Sequence, residues 1–302
     1  SRKTILIVII LFLSSCSHSW YVFTSFREPA NEGLRLLYSK DARQWNRLDT
    51  IFLAPGVGKQ KVMRDPSIAK GPDDSFHLVW TSSWQGDKGF GYAASQDLIH
   101  WTPQQFIPVM QHEPTTVNVW APELFYDQDS SRYIIVWASC IPGRFDKGIE
   151  ADSNNHRLYY TTTKDFNQFT PTQLFMDPEF SVIDAAIVRR AKNDFVLVLK
   201  DNTRPERNLK IAFGKSAIGP RSTVSAKFSD TFTEGPSVVK AGEDWLIYFD
   251  AYHDKSYQAV STQDFKTFTA PDPSISIPEG HKHGTIVQTN GKTIRRLLKY
   301  TS

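Results

Sequence analysis

Apolar residues in this chain occur in short runs or alternate with polar ones, and no long helical period appears. The clearest apolar runs are residues 76–80, 133–137, 195–199 and 245–249, and each follows a polar turn. Short apolar runs bounded by turn residues are typical of β-strands. The pattern therefore predicts an all-β fold.

Four segments share the pattern Ser/Thr-x-Asp-x-x-x-aromatic, and each follows a strand-like run. They begin at Ser39, Ser95, Thr163 and Thr262. The gap between the third and fourth copies is long enough for one degenerate copy, which makes about five units in a radial array and predicts a five-bladed β-propeller. Because the Asp recurs in every blade, we interpret it as a turn stabiliser that accepts backbone hydrogen bonds rather than as a catalytic group.

A second repeated unit places a polar residue with small neighbours before an apolar strand, a tight turn and another apolar strand. It begins at Asp65, Ala121, Asp184, Glu234 and His283. This is the order of a propeller blade from its axis outward. Residues 21–26 and 34–39 precede the first unit, whereas residues 283–288 lack outer strands, so both chain ends are expected to complete one blade and leave no free edge. Asn290-Gly291 then indicates a hairpin turn.

The first residues resemble an export leader. Arg2 and Lys3 precede an apolar run, residues 5–13, that is too short to span a bilayer. Residues 13–16 (Leu-Ser-Ser-Cys) resemble a bacterial lipobox, which implies a lipid on Cys16; an ordinary secretory signal cleaved nearby is the alternative. No Asp follows Cys16, and in that resemblance this favours an outer-membrane lipoprotein, either periplasmic or on the cell surface. We expect a signal peptide over 1–15, a tether over 16–19 and one catalytic propeller over 20–302.

Charge and cysteine content exclude several classes of function. Without Arg2 and Lys3, the 35 basic residues fall to 33 against 32 acidic ones, so the exported protein has no basic field for nucleic acid. Cys140 has no partner once Cys16 is lipidated, which leaves neither a disulfide framework nor a cysteine-based metal site. We expect a monomer that meets a membrane only through its anchor.

Candidate chemistry is concentrated at the starts of the inner strands. Asp65, Asp184, Glu234 and His283 fall on separate blades and are expected to face one axis. Like charges close together raise the pKa of a carboxyl group, which is how an acid stays protonated near neutral pH. Two carboxyl groups tuned by a third are the equipment of glycoside hydrolysis, with one as general base for water and one as general acid for the leaving oxygen.

Five segments in a fixed order make this interpretation more specific. They are residues 64–68 (Arg-Asp-Pro-Ser-Ile), 119–123 (Val-Trp-Ala-Pro-Glu), 182–186 (Val-Ile-Asp-Ala-Ala), 233–237 (Thr-Glu-Gly-Pro-Ser) and 281–285 (His-Lys-His-Gly-Thr). With them the chain resembles family 43 of the glycoside hydrolases, five-bladed propellers that act on arabinosides and xylosides. The resemblance covers nearly the whole mature chain.

The resemblance implies a role for each matching residue. Asp65 matches the general base that activates water, Glu234 matches the general acid, and Asp184 matches the third carboxylate, which keeps the acid protonated and orients it. His283 matches an axial histidine that in many relatives binds a calcium ion or an ordered water in the central channel; no cofactor is otherwise implied. The mechanism of the family is single displacement with inversion, with acid and base roughly 6.5–9.5 Å apart.

Glu123 and Arg64 bear on how closely the chain follows the pattern of this family. Family members often carry Asp where this chain has Glu123, so we expect retained activity with a different subsite. Arg64 before Asp65 is similar to the fructan-cleaving propellers, whose Arg-Asp-Pro stabilises the transition state. Those enzymes also carry an Asn-Asp-Pro nucleophile motif and a Glu-Cys acid, and this chain has neither, which argues against a retaining fructosidase.

Other residues are candidates for contacts with a substrate. Trp80, Trp84 and Trp120 lie near inner-strand ends and are expected either to stack on a sugar ring or to pack between blades. Lys200 ends the second strand of the blade that begins at Asp184. Its side chain is expected either on the side of the mouth or on the opposite side. Arg295 follows the predicted closing hairpin, and either it or its neighbour is expected to point to the pocket.

These features predict an inverting exo-glycosidase that removes terminal α-L-arabinofuranosyl groups from oligosaccharides or polysaccharides of plant cell walls. A β-xylosidase, galactosidase or galactofuranosidase of the same fold is the alternative, because pocket loops decide specificity and carry no motif. A non-catalytic glycan-binding propeller is disfavoured, since Asp65, Asp184 and Glu234 are all present. A structural or protein-interaction propeller would leave these converging carboxylates unexplained.

Overall fold

The structure is a computed structural model that describes residues 19–269 and 272–302. The chain forms five small antiparallel sheets arranged as the blades of a β-propeller, which confirms the predicted fold. The predicted signal peptide, Cys16 and the tether up to residue 18 lie outside the described residues. No helix in the described ranges is long and apolar enough to cross a membrane.

The blades follow one another along the chain. Blade 1 contains β1 (Trp20–Ser25), β2 (Leu34–Ser39) and β3 (Asn46–Leu53). Blade 2 contains β4 (Arg64–Lys70), β5 (Phe76–Thr81), β6 (Gly89–Ser95) and β7 (Gln105–Pro108). Blade 3 contains β8 (Trp120–Asp127), β9 (Arg132–Cys140), β10 (His156–Thr163) and β11 (Gln173–Met176). Blade 4 contains β12 (Val182–Ala191), β13 (Asp194–Asp201) and β14 (Asn208–Gly214), and blade 5 contains β15 (Thr233–Ala241), β16 (Asp244–Ala251) and β17 (Ser256–Thr262).

Strand β18 (Ile286–Thr289) closes the ring as the innermost strand of blade 1. It pairs antiparallel with β1, so that Trp20 lies opposite Thr289 and Phe23 lies opposite Ile286. This confirms the prediction that residues from both ends of the sequence build one blade. Backbone hydrogen bonds between β1 and β18 therefore close the ring of blades.

The repeated Ser/Thr-x-Asp segments are turns at the outer side of the blades. In blade 2, Asp97 Oδ1 accepts hydrogen bonds from the backbone N–H groups of Ile99 and His100, at 2.9 and 2.8 Å. The other three copies repeat both contacts. In blade 4 the corresponding bridge joins Gly214 to Arg221 without the motif, as expected for a degenerate copy. The structural interpretation of this Asp is confirmed.

The inner strands β4, β8, β12 and β15 each contain a bulge near their start, where the pairing register shifts. The bulged residue has a positive φ in every case: 50° at Asp65, 47° at Ala121, 54° at Asp184 and 61° at Gly235. Bulges re-aim side chains and recur beside active sites. Aspartate tolerates this left-handed region better than most residues, because its short polar side chain bonds locally.

One helix, α1 (Gly291–Thr301), follows β18 directly. The side chain of Asn290 accepts a hydrogen bond from the Thr293 N–H and caps the helix, so the predicted hairpin turn at this point is wrong. Ile294 and Leu297 are buried against apolar residues of blade 1, including Leu48 and Phe52 of β3. The helix therefore lies on the outer strand of blade 1.

Candidate active site

The predicted acidic residues meet at one end of the propeller axis, where the inner strands begin. His283 Nδ1 lies 3.2 Å from Asp65 Oδ1, and the N–H of Gly235 donates a 3.0 Å hydrogen bond to Asp184 Oδ2. A Cβ atom at Gly235 would lie 2.5 Å from the His283 ring, so this close approach requires glycine. We call the group of Asp65, Asp184, Glu234 and His283 the acidic mouth; it draws on four blades.

Asp65 is surrounded by groups that favour its charged form. Thr81 Oγ1 donates a 2.8 Å hydrogen bond to Asp65 Oδ2, and Thr81 is held in turn by the N–H of Ala121. Burial would raise the pKa of Asp65, but the charge and hydrogen bond of His283 outweigh it, and the pKa lies below its usual value. Asp65 is therefore a carboxylate at neutral pH, as a base for water must be.

Asp184 has the opposite environment. Burial, together with the negative charge of Glu234, raises the pKa of Asp184 to about 6, against the lowering effect of His283. The mouth thus contains two carboxyl groups whose surroundings drive their proton affinities apart. Asp65 is thus the member of the pair that stays charged, as a general base must, while Asp184 matches the third carboxylate rather than the acid.

His283 is the counter-charge of the mouth. Burial alone would lower the pKa of His283, yet the carboxylates of Asp184 and Asp65 raise it to about 9. The ring is therefore an imidazolium at neutral pH, paired with Asp65. In residues 19–269 and 272–302 no group of three or more His, Cys, Asp or Glu side chains is placed to hold a metal ion. The axial calcium that the resemblance implies at His283 stays a prediction.

Lys200 belongs to the mouth, on β13 opposite Ile183. Its Nζ donates a 2.9 Å hydrogen bond to Glu234 Oε2, and its side chain is only 3% exposed. Burial would lower the pKa of Lys200, but the carboxylates of Glu234 and Asp184 raise it. Of the two placements open for Lys200, the structure has the one at the mouth, with the ammonium group occupied by Glu234.

An aromatic rim, formed by Trp84, Trp120 and Arg64, lies beside Asp65. The Trp84 side chain is half-exposed, and its ring centroid is 4.9 Å from that of Trp120, whose Nε1–H donates to the Trp84 carbonyl oxygen. The Arg64 guanidinium lies 4.9 Å from the Trp84 ring and donates a 2.6 Å hydrogen bond to Glu28. The rim therefore offers a partly exposed aromatic face next to Asp65.

Two of the candidates for substrate contacts do not reach the mouth, and for Trp80 the structure has the alternative of packing between blades. Trp80 has no exposed surface; it packs in the apolar cluster between blades 1 and 2, against Gly91. It therefore serves packing rather than sugar stacking. Arg295 is exposed on α1, which lies on the outer strand of blade 1 rather than at the axis where the mouth is.

Glu123 lies inside the channel rather than on the rim. Its carboxylate accepts a 3.2 Å hydrogen bond from Ser67 Oγ, and it lines a cavity of about 430 Å³ with residues toward the ends of the inner strands, such as Lys70 and Gln288. Burial raises the pKa of Glu123 to about 8, in spite of the nearby His283 charge. Glu123 is therefore mostly neutral at pH 7, and its part in a subsite stays a prediction.

Two groups at the mouth were not predicted from the sequence. Thr81 lies opposite Arg64 in the sheet, and Asp250 lies opposite Glu234 and accepts a 3.0 Å hydrogen bond from Lys282. Lys200 has the equivalent position in blade 4. All three lie on a second strand opposite the residue that precedes the bulge of the inner strand, at Arg64, Ile183 and Glu234.

Comparisons with known proteins agree with this geometry. Residues 17–293 match a family model described as "Probable glycosyl hydrolase domain" and related to glycosyl hydrolase family 43. The chain therefore belongs to this glycoside hydrolase family. A stretch of 141 residues is 27% identical to an α-L-arabinofuranosidase of Bifidobacterium longum subsp. longum; the match covers 43% of this chain and only 13% of that protein.

Solved structures share the fold at low sequence identity. An α-L-arabinanase of Cellvibrio cellulosa, complexed with arabinohexaose, is 15% identical with a TM-score of 0.58 over 81% of this chain and 88% of that chain. An exo-β-1,3-galactanase from Clostridium thermocellum is 14% identical with a TM-score of 0.53 over 70% of this chain and 48% of that chain. At these identities the likeness establishes the fold alone.

Proposed function

We propose that the protein is an inverting exo-glycosidase that removes terminal α-L-arabinofuranosyl groups from plant cell-wall glycans. The observation that carries the proposal is the acidic mouth, where Asp65 is kept charged and Asp184 is driven toward its protonated form beside Glu234. Membership of the glycoside hydrolase family supports the reaction class. The local identity to an α-L-arabinofuranosidase supports the choice of sugar.

In the proposed reaction, Asp65 takes a proton from water as the water oxygen attacks the anomeric carbon. The bond from that carbon to the glycosidic oxygen breaks, and the leaving oxygen takes a proton from Glu234. One displacement from the face opposite the leaving group inverts the anomeric centre. Afterwards Asp65 is protonated and Glu234 is charged, and exchange with solvent restores both.

Lys200 positions the proposed acid. Its buried ammonium group donates a 2.9 Å hydrogen bond to Glu234 Oε2. Asp184 accepts a hydrogen bond from the backbone N–H of Gly235, the residue after Glu234. Together these contacts hold the side chain and the backbone of Glu234 in place at the mouth.

The reaction product tests the proposed function. The protein would be incubated with arabinan, arabinoxylan, xylan and β-1,3-galactan oligosaccharides, beside an Asp65→Asn variant, and the released monosaccharides identified by chromatography. Arabinose, lost in the variant, is expected. Release of xylose or galactose instead would change the assigned sugar and keep the reaction class. Galactose is the second candidate, because an exo-β-1,3-galactanase shares the fold. Oligosaccharide binding without release would favour a binding-only propeller.

We also propose that the protein is exported and lipidated on Cys16, on the strength of the leader residues alone. Incorporation of labelled fatty acid in a bacterial host, lost in Cys16→Ser, is the expected result. Export with no label in either protein would favour the ordinary secretory signal.

A further inference from the structure

Helix α1 presents one strongly cationic face. Lys292, Arg295, Arg296 and Lys299 are spaced i, i+3, i+4 and i+7, which places them on one side of an α-helix. All four are exposed, and residues 291–301 include no acidic residue. Within the described part of the chain none of the four forms an ion pair. Their charge is therefore directed outward without a partner.

The opposite face of α1 packs against the propeller. Ile294 and Leu297 are buried in the apolar cluster of blade 1, which fixes the rotation of the helix. Leu298 and Tyr300 flank the cations and remain 39% and 55% exposed. An exposed cationic stripe edged by apolar and aromatic side chains is typical of helices that lie on a membrane surface.

Helix α1 begins at the end of the propeller away from the mouth and runs back along the outer strand of blade 1, where the Tyr300 ring lies 6.2 Å from that of Phe52. His283 precedes β18 at the acidic mouth, whereas α1 follows Thr289 at the other end of the same strand. Trp20 pairs with Thr289, so the described chain also begins at that far end. Lys40 lies there too, with its Nζ 5.1 Å from the Trp20 ring. We call Lys40 and the four cations of α1 the basic face.

We propose that the basic face docks on an anionic lipid surface, with the outer edge of blade 1 against the bilayer. Lipid phosphates supply the missing counter-charges, and each Lys or Arg at such a surface strengthens binding about five-fold. Trp20 is four residues after Cys16, a distance of at most about 14 Å. A lipid on Cys16 would therefore add a second attachment beside the basic face, and two signals together give stable anchoring.

Lysine acylation footprints test this orientation. The full chain would be labelled on vesicles of neutral phosphatidylcholine and on vesicles that also contain anionic phosphatidylglycerol, and each site read by mass spectrometry. On the anionic vesicles, Lys40, Lys292 and Lys299 are expected to react about five-fold more slowly, while Lys147 and Lys255, in loops on the side of the mouth, keep their rates. Equal rates on both vesicles, or protection of Lys147 and Lys255 instead, would overturn the proposal.

A matched pair of variants tests the charge itself. One variant replaces Lys292, Arg295, Arg296 and Lys299 with Gln; the control replaces the exposed Lys59, Lys61, Lys147 and Lys255 with Gln. Because Gln is a good helix former, equal melting temperatures are expected for both. Binding to the anionic vesicles should fall on the order of 10²-fold only in the α1 variant, and wild-type binding should weaken as salt rises. Equal binding by both variants would contradict the proposal.

Discussion

Lys200 donates a 2.9 Å hydrogen bond to the carboxylate of Glu234, the group proposed as general acid. The lysine side chain is 3% exposed, so the surrounding protein holds the donor in one place. Lys200 therefore positions the carboxyl group of Glu234, although it is itself neither the acid nor the base.

Lys200→Met is expected to lower kcat/KM for oligosaccharides by about 10- to 10²-fold, because Glu234 loses the hydrogen bond that orients its carboxyl group. Lys200→Arg retains a charged donor and is the control, with a smaller loss expected. Initial rates on oligosaccharides measure both variants. An unchanged kcat/KM in Lys200→Met would show that Lys200 has no part in positioning Glu234.

Glu234→Ala should affect substrates according to how much their leaving group needs a proton. On natural oligosaccharides the rate is expected to fall about 10²- to 10⁴-fold, the usual contribution of general acid catalysis. On nitrophenyl glycosides, whose leaving group departs without protonation, the loss should be far smaller. Initial rates on both substrate types check this, and an equal loss on both would contradict the acid assignment.

Glu123→Gln is expected to stabilise the protein at alkaline pH. The folded-state pKa of Glu123, about 8, lies above its ordinary value of 4.5, so the folded state binds an extra proton and wild-type stability falls as pH rises from about 4.5 to 8. Glutamine removes this dependence. The variant should match the wild type near pH 4 and exceed it by roughly 2 kcal/mol at pH 9, allowing for water in the channel. Urea unfolding at both pH values measures the difference; a variant less stable at pH 9 would contradict the buried position of Glu123.

Trp84→Ala should separate sugar stacking from chemistry. Loss of the exposed ring of the aromatic rim is expected to raise KM for oligosaccharides about three- to ten-fold, while kcat/KM for a nitrophenyl monosaccharide changes little. Leu174→Ala, which removes another exposed apolar side chain on β11, is the control. If KM for oligosaccharides were unchanged in Trp84→Ala, the rim would have no part in binding the leaving group.

The fold was predictable because each blade repeats its own local chemistry. The Asp of each Ser/Thr-x-Asp turn accepts hydrogen bonds from the backbone N–H groups two and three residues further on, so four copies of the turn indicate four similar units. The sites Asp65, Asp184, Glu234 and His283 were predictable for a related reason, since the start of each inner strand is a fixed place in the repeat. Closure by β18 followed from counting strands.

Features that depend on tertiary contacts were not predictable in the same way. Trp80 and Trp84 are the same residue type four positions apart, yet one is fully buried and the other is half-exposed, because a strand ends between them. Asn290-Gly291 suits both a hairpin turn and a helix N-cap, and burial of Ile294 and Leu297 decides for the helix. The bulges at Asp65 and Asp184 change the register by one residue and leave no signal in composition.

Hydrolysis of a panel of 4-nitrophenyl glycosides by the wild type and by Asp65→Ala is the most direct test of the proposed glycosidase reaction. The panel contains the α-L-arabinofuranoside, β-D-xyloside, β-D-galactoside and β-D-galactofuranoside. Turnover of the α-L-arabinofuranoside is expected, and it should be abolished in Asp65→Ala, because Asp65 is the carboxylate proposed to accept the proton from water. Substantial turnover by Asp65→Ala would contradict the proposed role of Asp65.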